Sequence, residues 1–157
     1  MSAELVRSIP HPSPRSAAER AALMADPGFG RVFTDHMVTI DYDPERGWHD
    51  ATLQPYGPLS LDPSTSALHY GQEIFEGCKA YRQPDGSIAT FRPEQNARRF
   101  QRSARRLAMA ELPEDLFLAS LDALVTQDAD WVPSGAERSR AALASGRNVA
   151  IDPSGWR

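Results

Sequence analysis

Two strand-like patterns stand close together in the first third of the chain. Residues 32–42 are rich in β-branched and aromatic side chains, which favour an extended backbone. Residues 48–54 have a similar pattern after a turn-forming segment at 43–47, and two prolines and a glycine at 55–58 end the second run. The spacing predicts an antiparallel hairpin.

Helix-forming segments flank this hairpin. Ser16 can cap a helix that ends at Pro27. Pro93 can occupy the first position of a helix that runs to about residue 109. A further helix is predicted from Pro113, because apolar residues recur after it near helical spacing.

A short helix and a second hairpin are predicted between the longer helices. Residues 66–76 favour a helix, and Gly77 stands where a left-handed residue would end it. The short runs 78–82 and 87–92 flank a Pro-Asp-Gly turn at 84–86. Asp and Gly tolerate positive φ, so these runs predict a tight hairpin.

The order of these elements predicts a mixed fold, α/β or α+β, because strands precede and separate the helices. We divide the chain into a mobile N-terminal arm with a short helix (1–28), a main domain (29–137) and an irregular tail (138–157). The tail has four arginines and one acid and shows no clear periodicity. A shifted reading frame would produce such a change of composition.

Composition indicates the class of protein and its compartment. A net charge of −4 gives no general attraction to nucleic acid or to an anionic membrane. The single cysteine suits the reducing cytosol, and no apolar run approaches the length needed to span a bilayer. We expect a cytoplasmic protein that binds neither nucleic acid nor membrane.

Charged and metal-binding side chains give weak signals. The four histidines lack the spacing of a metal site, so we expect no metal. Five arginines on the predicted helix after Pro93 could hold nucleic-acid phosphates, but a solvated face is the commoner use of such a stripe. Arg99 differs, since it shares a helix face with Ser103 and is expected to point inward. An inward arginine needs an anion, for which phosphate is a natural partner.

Aromatic residues concentrate around the only lysine of the chain, Lys79. Tyr70, Phe75 and Tyr81 could line a pocket, although core packing is the commoner role of such residues. Chemistry that requires a side-chain amine must use Lys79. A strand lysine beside Cys78 is more often a surface residue.

The motifs of the chain, taken in order, resemble those of the branched-chain amino-acid aminotransferases. The resemblance runs from about residue 29 to residue 137. It rests on Phe33-Thr34-Asp35-His36-Met37, Ala67-Leu68-His69-Tyr70-Gly71-Gln72, Phe75-Glu76-Gly77-Cys78-Lys79-Ala80-Tyr81-Arg82, Phe91-Arg92-Pro93 with Asn96 and Arg99, and Trp131-Val132-Pro133.

The resemblance implies the small N-terminal domain of a fold type IV enzyme that uses pyridoxal 5'-phosphate. Such enzymes are expected to be homodimers that move the amino group of leucine, isoleucine or valine onto 2-oxoglutarate. By position, Arg99 would bind the cofactor phosphate. Phe75 would form part of an apolar substrate wall, together with Phe29. Tyr70 would contribute to the same kind of pocket, either in its own subunit or in a neighbouring one.

The chain also departs from the family, whose members are about twice as long. The resemblance places the family's Schiff-base lysine in a second domain, and Lys79 does not match it. We therefore expect no catalytic residue in this chain and an inactive, truncated aminotransferase. The alternative is a non-catalytic fragment that associates with a full-length subunit.

Overall fold

A four-stranded sheet organises the chain, of which the computed structural model describes residues 5–28, 30–133 and 149–152. The strands are β1 (Arg7–Ser8), β2 (His36–Asp43), β3 (Gly47–Pro55), β4 (Ala80–Arg82), β5 (Ile88–Thr90) and β6 (Val149–Asp152). The helices are α1 (Ala17–Ala25), α2 (Ser66–Tyr70), α3 (Pro93–Arg106) and α4 (Glu114–Gln127), with a 3-10 turn at Ala129–Trp131. The fold is thus a mixture of helix and sheet, of the α+β kind.

The predicted hairpin forms the middle of the sheet. Strands β2 and β3 pair antiparallel, with Val38 opposite Leu53, and the register shifts between Thr39 and Asp41. Strand β2 begins at His36, four residues after the start that its propensity indicates. The sheet order is β1-β3-β2-β6, and both outer strands run parallel to their neighbours.

The N-terminal segment is part of the sheet, where the sequence predicted a mobile arm. Arg7 pairs with Thr52, and the Ile9 N–H donates to the carbonyl of Leu53 at 2.8 Å. Val6 is buried in the core. The short edge strand is held by backbone hydrogen bonds that no local sequence pattern reveals.

Helix α1 begins where Ser16 predicts it. The Ser16 side chain accepts a hydrogen bond from the Glu19 N–H, and the Glu19 carboxylate accepts one from the Ser16 N–H at 2.8 Å. This reciprocal capping box satisfies backbone donors at the start of the helix. A hydrogen bond from Arg20 to Asp130 at 2.7 Å then joins α1 to the 3-10 turn.

The short helix ends earlier than predicted. Helix α2 stops at Tyr70, and the left-handed residue is Gly71, with φ +58°, so the predicted end at Gly77 is wrong. Residues 72–79 form no regular element. The second predicted hairpin is confirmed as β4 and β5, joined through the Pro-Asp-Gly turn.

Helices α3 and α4 cover one part of the sheet. Helix α3 begins at Pro93, as predicted, and its buried residues are Ala97, Phe100 and Ala104. The Phe100 and Phe117 rings lie 5.8 Å apart and belong to a core that also contains Val38, Ile40, Leu53, Leu112 and Leu124. Burial of these side chains stabilises the fold by about 1.5–3 kcal/mol each.

Two acid side chains connect the start of β2 to the 3-10 turn. The Asp35 carboxylate accepts from the Trp131 indole N–H at 3.0 Å and pairs with Arg15 at 3.0 Å. The neighbouring His36 contacts Asp128 through its ring Nδ1 at 2.6 Å and its backbone N–H at 3.0 Å. These buried polar groups therefore stabilise the tertiary structure, the ordinary role expected of this histidine.

Much of the predicted tail lies outside the described residues. Its described part, β6, pairs with β2 as a regular parallel strand, whereas the sequence predicted irregular structure. Across the described parts of the chain, no helix is long and apolar enough to cross a membrane.

Candidate active site

The segment between α2 and β4 runs alongside α3 in the opposite direction. The Gln72 side-chain amide donates to the carbonyl of Leu107 at 2.9 Å, and the Asn96 amide donates to the carbonyl of Gly77 at 2.9 Å. The two hydrogen bonds therefore attach the segment to α3 at Asn96 and to the turn that follows the helix at Leu107.

Glu76 lies where this segment meets α3. It is only 6% exposed. Its carboxylate accepts hydrogen bonds from Arg99 Nε at 2.6 Å, from Arg99 Nη2, from Asn96 at 2.9 Å and from the Gly77 N–H at 2.9 Å. Four donated hydrogen bonds account for the burial of a charged carboxylate.

The electrostatics of this pair favour two full charges. Burial alone raises the pKa of Glu76, but the hydrogen bonds from Arg99, Asn96 and Gly77 outweigh it and hold that pKa below its usual value. The same hydrogen bond to Glu76 raises the pKa of Arg99. Both groups are therefore ionised at neutral pH.

Arg99 does not point inward as the sequence predicted. Its side chain is 60% exposed, and the anion beside it is the Glu76 carboxylate. A guanidinium has five N–H donors. The contact with Glu76 uses two of them, the one on Nε and one of the two on Nη2. The opposite edge of the guanidinium can thus accept a second anion.

The aromatic candidates lie at the surface. Tyr70 is 85% exposed and Phe75 is 65% exposed, which excludes the core role for both. The Phe75 ring lies against Gly77, since a Cβ on that glycine would be 3.6 Å from the ring. This contact places Phe75 next to the Glu76–Arg99 pair. Tyr81 is half-buried on β4.

Two further candidates complete the comparison with the sequence. Phe29 lies outside the described residues. Lys79 is exposed just before β4, as a surface lysine would be. Other large apolar side chains are also exposed, among them Leu68, Phe91 and Leu107.

Sequence reasoning missed the role of Glu76 and Asn96, although both residues stand in the motifs that carry the resemblance. Asn96 and Arg99 are three residues apart on α3, so one helix face presents both side chains to Glu76. That spacing could have predicted that Asn96 and Arg99 bind the same acceptor. The identity of the partner depends on the segment that lies over the helix.

The arginines of α3 are largely paired. Three of the five that suggested a basic stripe form ion pairs with glutamates, namely Arg98 with Glu114, Arg99 with Glu76 and Arg105 with Glu111. Each pair reduces the positive potential of the helix. The arrangement favours the solvated-face interpretation of the arginines other than Arg99.

Within the described ranges, one group of side chains has the spacing of metal ligands. Asp41, His49 and Asp50 have ligand atoms within 4.8 Å of one another, although Asp41 and Asp50 are exposed. The pairing of β2 with β3 brings Asp41 opposite His49, which is why the sequence spacing did not reveal the group. The Arg46 guanidinium contacts His49 and lies 3.7 Å from Asp50, so a cation already stands beside these groups.

Comparison with curated proteins shows that the relatives of this chain are aminotransferases. It is 65% identical over 131 residues to a probable branched-chain-amino-acid aminotransferase of Streptomyces coelicolor, a match that covers 83% of this chain and 36% of the relative. It is 59% identical to the branched-chain-amino-acid aminotransferase of Mycolicibacterium smegmatis, over 81% of this chain and 35% of the relative. A Bacillus subtilis protein named branched-chain-amino-acid transaminase 1 is 52% identical over 68% of this chain and 30% of its own length.

These identities confirm the resemblance to the branched-chain amino-acid aminotransferases: most of this chain is homologous to part of such an enzyme. The chain spans about a third of the length of the curated relatives it matches. No protein-family model matches it.

Proposed function

We propose that this chain forms the small domain of a fold type IV branched-chain amino-acid aminotransferase. The reaction moves the amino group of leucine, isoleucine or valine onto 2-oxoglutarate with pyridoxal 5'-phosphate as cofactor. The identity to relatives of that name, reaching 65%, carries the proposal. The geometry around Arg99 and Phe75 supports it.

The residues present fit the phosphate of the cofactor. The Arg99 side chain offers an exposed edge with three further N–H donors, which suits the bidentate contacts of a phosphate group. Because Glu76 neutralises much of the guanidinium charge, a phosphate dianion needs further donors from sequence outside these 157 residues. We therefore assign Arg99 to the phosphate as one of several partners.

The chain also supplies apolar surface for the substrate. Pyridoxal phosphate, when bound, supplies the electron sink of the reaction, while the protein orients the substrate and excludes water. Phe75, Tyr70 and Phe29 would form the wall that receives a branched side chain. Such a wall distinguishes aliphatic side chains by only about 1–3 kcal/mol per methylene, so all three amino acids should be accepted.

We assign no covalent role to Lys79. Its exposed position before β4 places it on the surface of this domain, and the amine that reacts with the cofactor would come from outside these 157 residues. On this proposal the 157-residue chain is inactive alone. The complete enzyme would be a cytoplasmic homodimer in which the exposed Tyr70 contributes to the pocket of its own or a neighbouring subunit.

A hybrid protein tests this function. The matched residues of this chain replace their counterparts in the Streptomyces coelicolor relative, which supplies the remaining two thirds. We expect the hybrid to bind pyridoxal 5'-phosphate and to form glutamate from leucine and 2-oxoglutarate. The 157-residue chain, treated with the cofactor and borohydride, should show no labelled Lys79 peptide by mass spectrometry. A folded hybrid that binds no cofactor would refute the proposal.

The exposure of Tyr70 and Phe75 favours one alternative, a non-catalytic fragment that associates with a full-length subunit. Large exposed aromatic side chains are typical of interaction surfaces. Analytical ultracentrifugation of this chain mixed with the intact relative tests the idea. A stable complex that a Phe75→Ser variant fails to form would favour it, and independent sedimentation of the two proteins would exclude it.

A further inference from the structure

Glu76 holds the Arg99 guanidinium in one plane. Its two oxygens contact Nε and Nη2 of the arginine side by side. Glu76 is itself held by Asn96 and by the Gly77 N–H, each at 2.9 Å. The Arg99 side chain is thus fixed at its backbone and at its guanidinium and cannot rotate freely. A ligand that binds it therefore causes little further loss of rotamer entropy.

The contact also determines which edge of Arg99 faces a ligand. Because Nε and one Nη2 hydrogen meet Glu76, the remaining donors lie on the Nη1 side, and the side chain is 60% exposed. We infer that Glu76 is a positioning residue that orients Arg99 for the cofactor phosphate. This inference rests on the proposed function and extends it to a residue that does not itself contact the cofactor.

A positioning role and a purely electrostatic role predict opposite effects of Glu76→Gln. Removal of the negative charge makes the site more positive, so electrostatics alone would strengthen phosphate binding. A glutamine, however, has only one acceptor atom at this end and would direct an N–H₂ group at an arginine donor. If orientation dominates, phosphate binding weakens although the site has become more positive.

Arg105, which is also on α3, and Glu111, which follows that helix, provide a matched control. Arg105 contacts Glu111 through Nε at 2.9 Å and Nη2 at 2.6 Å, the same two-point geometry, but both side chains are exposed. Glu111→Gln removes the same charge from beside the same helix and leaves Arg99 unaltered. Any general effect of charge on phosphate binding should appear in both variants.

The first measurement is the dissociation constant for pyridoxal 5'-phosphate and for pyridoxal, which lacks the phosphate. Both are measured on the 157-residue chain and on the hybrid protein. For Glu76→Gln we expect the phosphate-bearing ligand to bind about tenfold more weakly, the effect of one displaced charged hydrogen bond. Pyridoxal affinity and the Glu111→Gln variant should be unchanged. Equal or tighter binding of the cofactor by Glu76→Gln would overturn the inference while the proposed function stands.

Arg99→Lys is the second variant, which keeps the charge and leaves Glu76 with a cationic partner. Its ammonium lacks the planar two-point geometry, so orientation through Glu76 predicts a similar loss and no further loss when Glu76→Gln is added. Additive losses in the double variant would show that Glu76 acts independently of Arg99, against the inference.

NMR of the arginine Nε–H groups in the 157-residue chain gives a reading that needs no cofactor. The Arg99 signal, identified by its absence in Arg99→Lys, should be resolved and should shift with inorganic phosphate. In Glu76→Gln it should exchange rapidly with water. An unaltered signal would refute the positioning role, even if the hybrid failed to bind the cofactor and the proposed function were rejected.

Discussion

Substitution of Arg99 by methionine would leave the Glu76 carboxylate buried without its main cationic partner. Glu76 is 6% exposed, and its remaining donors would be Asn96 and the Gly77 N–H. Loss of one partner from a fully buried ion pair costs about 3–5 kcal/mol. Because the Arg99 side chain is 60% exposed and screened by water, the expected loss of unfolding free energy is smaller, about 1–2 kcal/mol. For a chain of this length that loss lowers Tm by about 2–8 °C.

The cost should depend on pH with a defined sign. In the wild-type chain the pKa of Glu76 lies below that of the unfolded chain, owing to its hydrogen bonds. Its contribution to stability is therefore present above the unfolded pKa and is lost as pH falls through the folded pKa. Without Arg99, burial dominates and raises the pKa of Glu76. Protonation of Glu76 in mild acid therefore removes the buried charge and reduces the destabilisation of the variant. The stability gap between the two chains should shrink from about pH 7 to about pH 4.

Urea unfolding of both chains at several pH values measures this gap. Arg105→Met is the matched control, since its partner Glu111 is exposed and the pair should contribute only about 0–1 kcal/mol. Adding Glu76→Gln to Arg99→Met should restore part of the lost stability at neutral pH, because the buried charge is then absent. A gap that stays constant with pH, or one that Arg105→Met reproduces, would refute the reasoning.

Three further substitutions test contacts elsewhere in the fold, each by urea unfolding. Asp128→Ala removes the buried acceptor of the His36 ring and backbone N–H groups and should cost about 2–3 kcal/mol, whereas a loss below about 0.5 kcal/mol would argue against the contact. Gly71→Ala should cost about 1–2 kcal/mol, because alanine disfavours the φ of +58° at this position. A Cβ there would meet nothing within 4 Å, so steric overlap adds no cost, and a neutral result would mean that the backbone leaves this conformation. Trp131→Phe should lose about 1 kcal/mol with the hydrogen bond to Asp35 and a further amount with the missing part of the buried ring, so in an Asp35→Ala background the loss should shrink by about 1 kcal/mol.

Local chemistry made several elements of this chain predictable. The Pro-Asp-Gly turn defines the β4–β5 hairpin, and Pro93 marks the first residue of α3. Ser16 and Glu19 form their capping box from residues three apart. In each case the interaction that determines the element joins near neighbours, so the sequence carries the full signal.

Contacts between distant residues decided what the sequence could not. Hydrogen bonds from Gln72 and Asn96 attach the segment after α2 to α3 and to the turn that follows it, an arrangement that the glycines alone do not specify. The pairing of Arg7 with Thr52 likewise needs a partner strand 45 residues away. These pairings reflect the energy of the assembled fold, which no local pattern contains.

The sequence by itself determined the relationship to branched-chain amino-acid aminotransferases and pointed to Arg99, because both depend on residue identity and order. Only the tertiary structure decided what Arg99 meets. Sequence spacing placed it on a helix face, but packing of the segment that carries the buried Glu76 against that helix made the arginine one half of an ion pair. The physical reason is that a buried carboxylate requires donors, and only the packed fold adds Arg99 and Asn96 to the N–H of the adjacent Gly77.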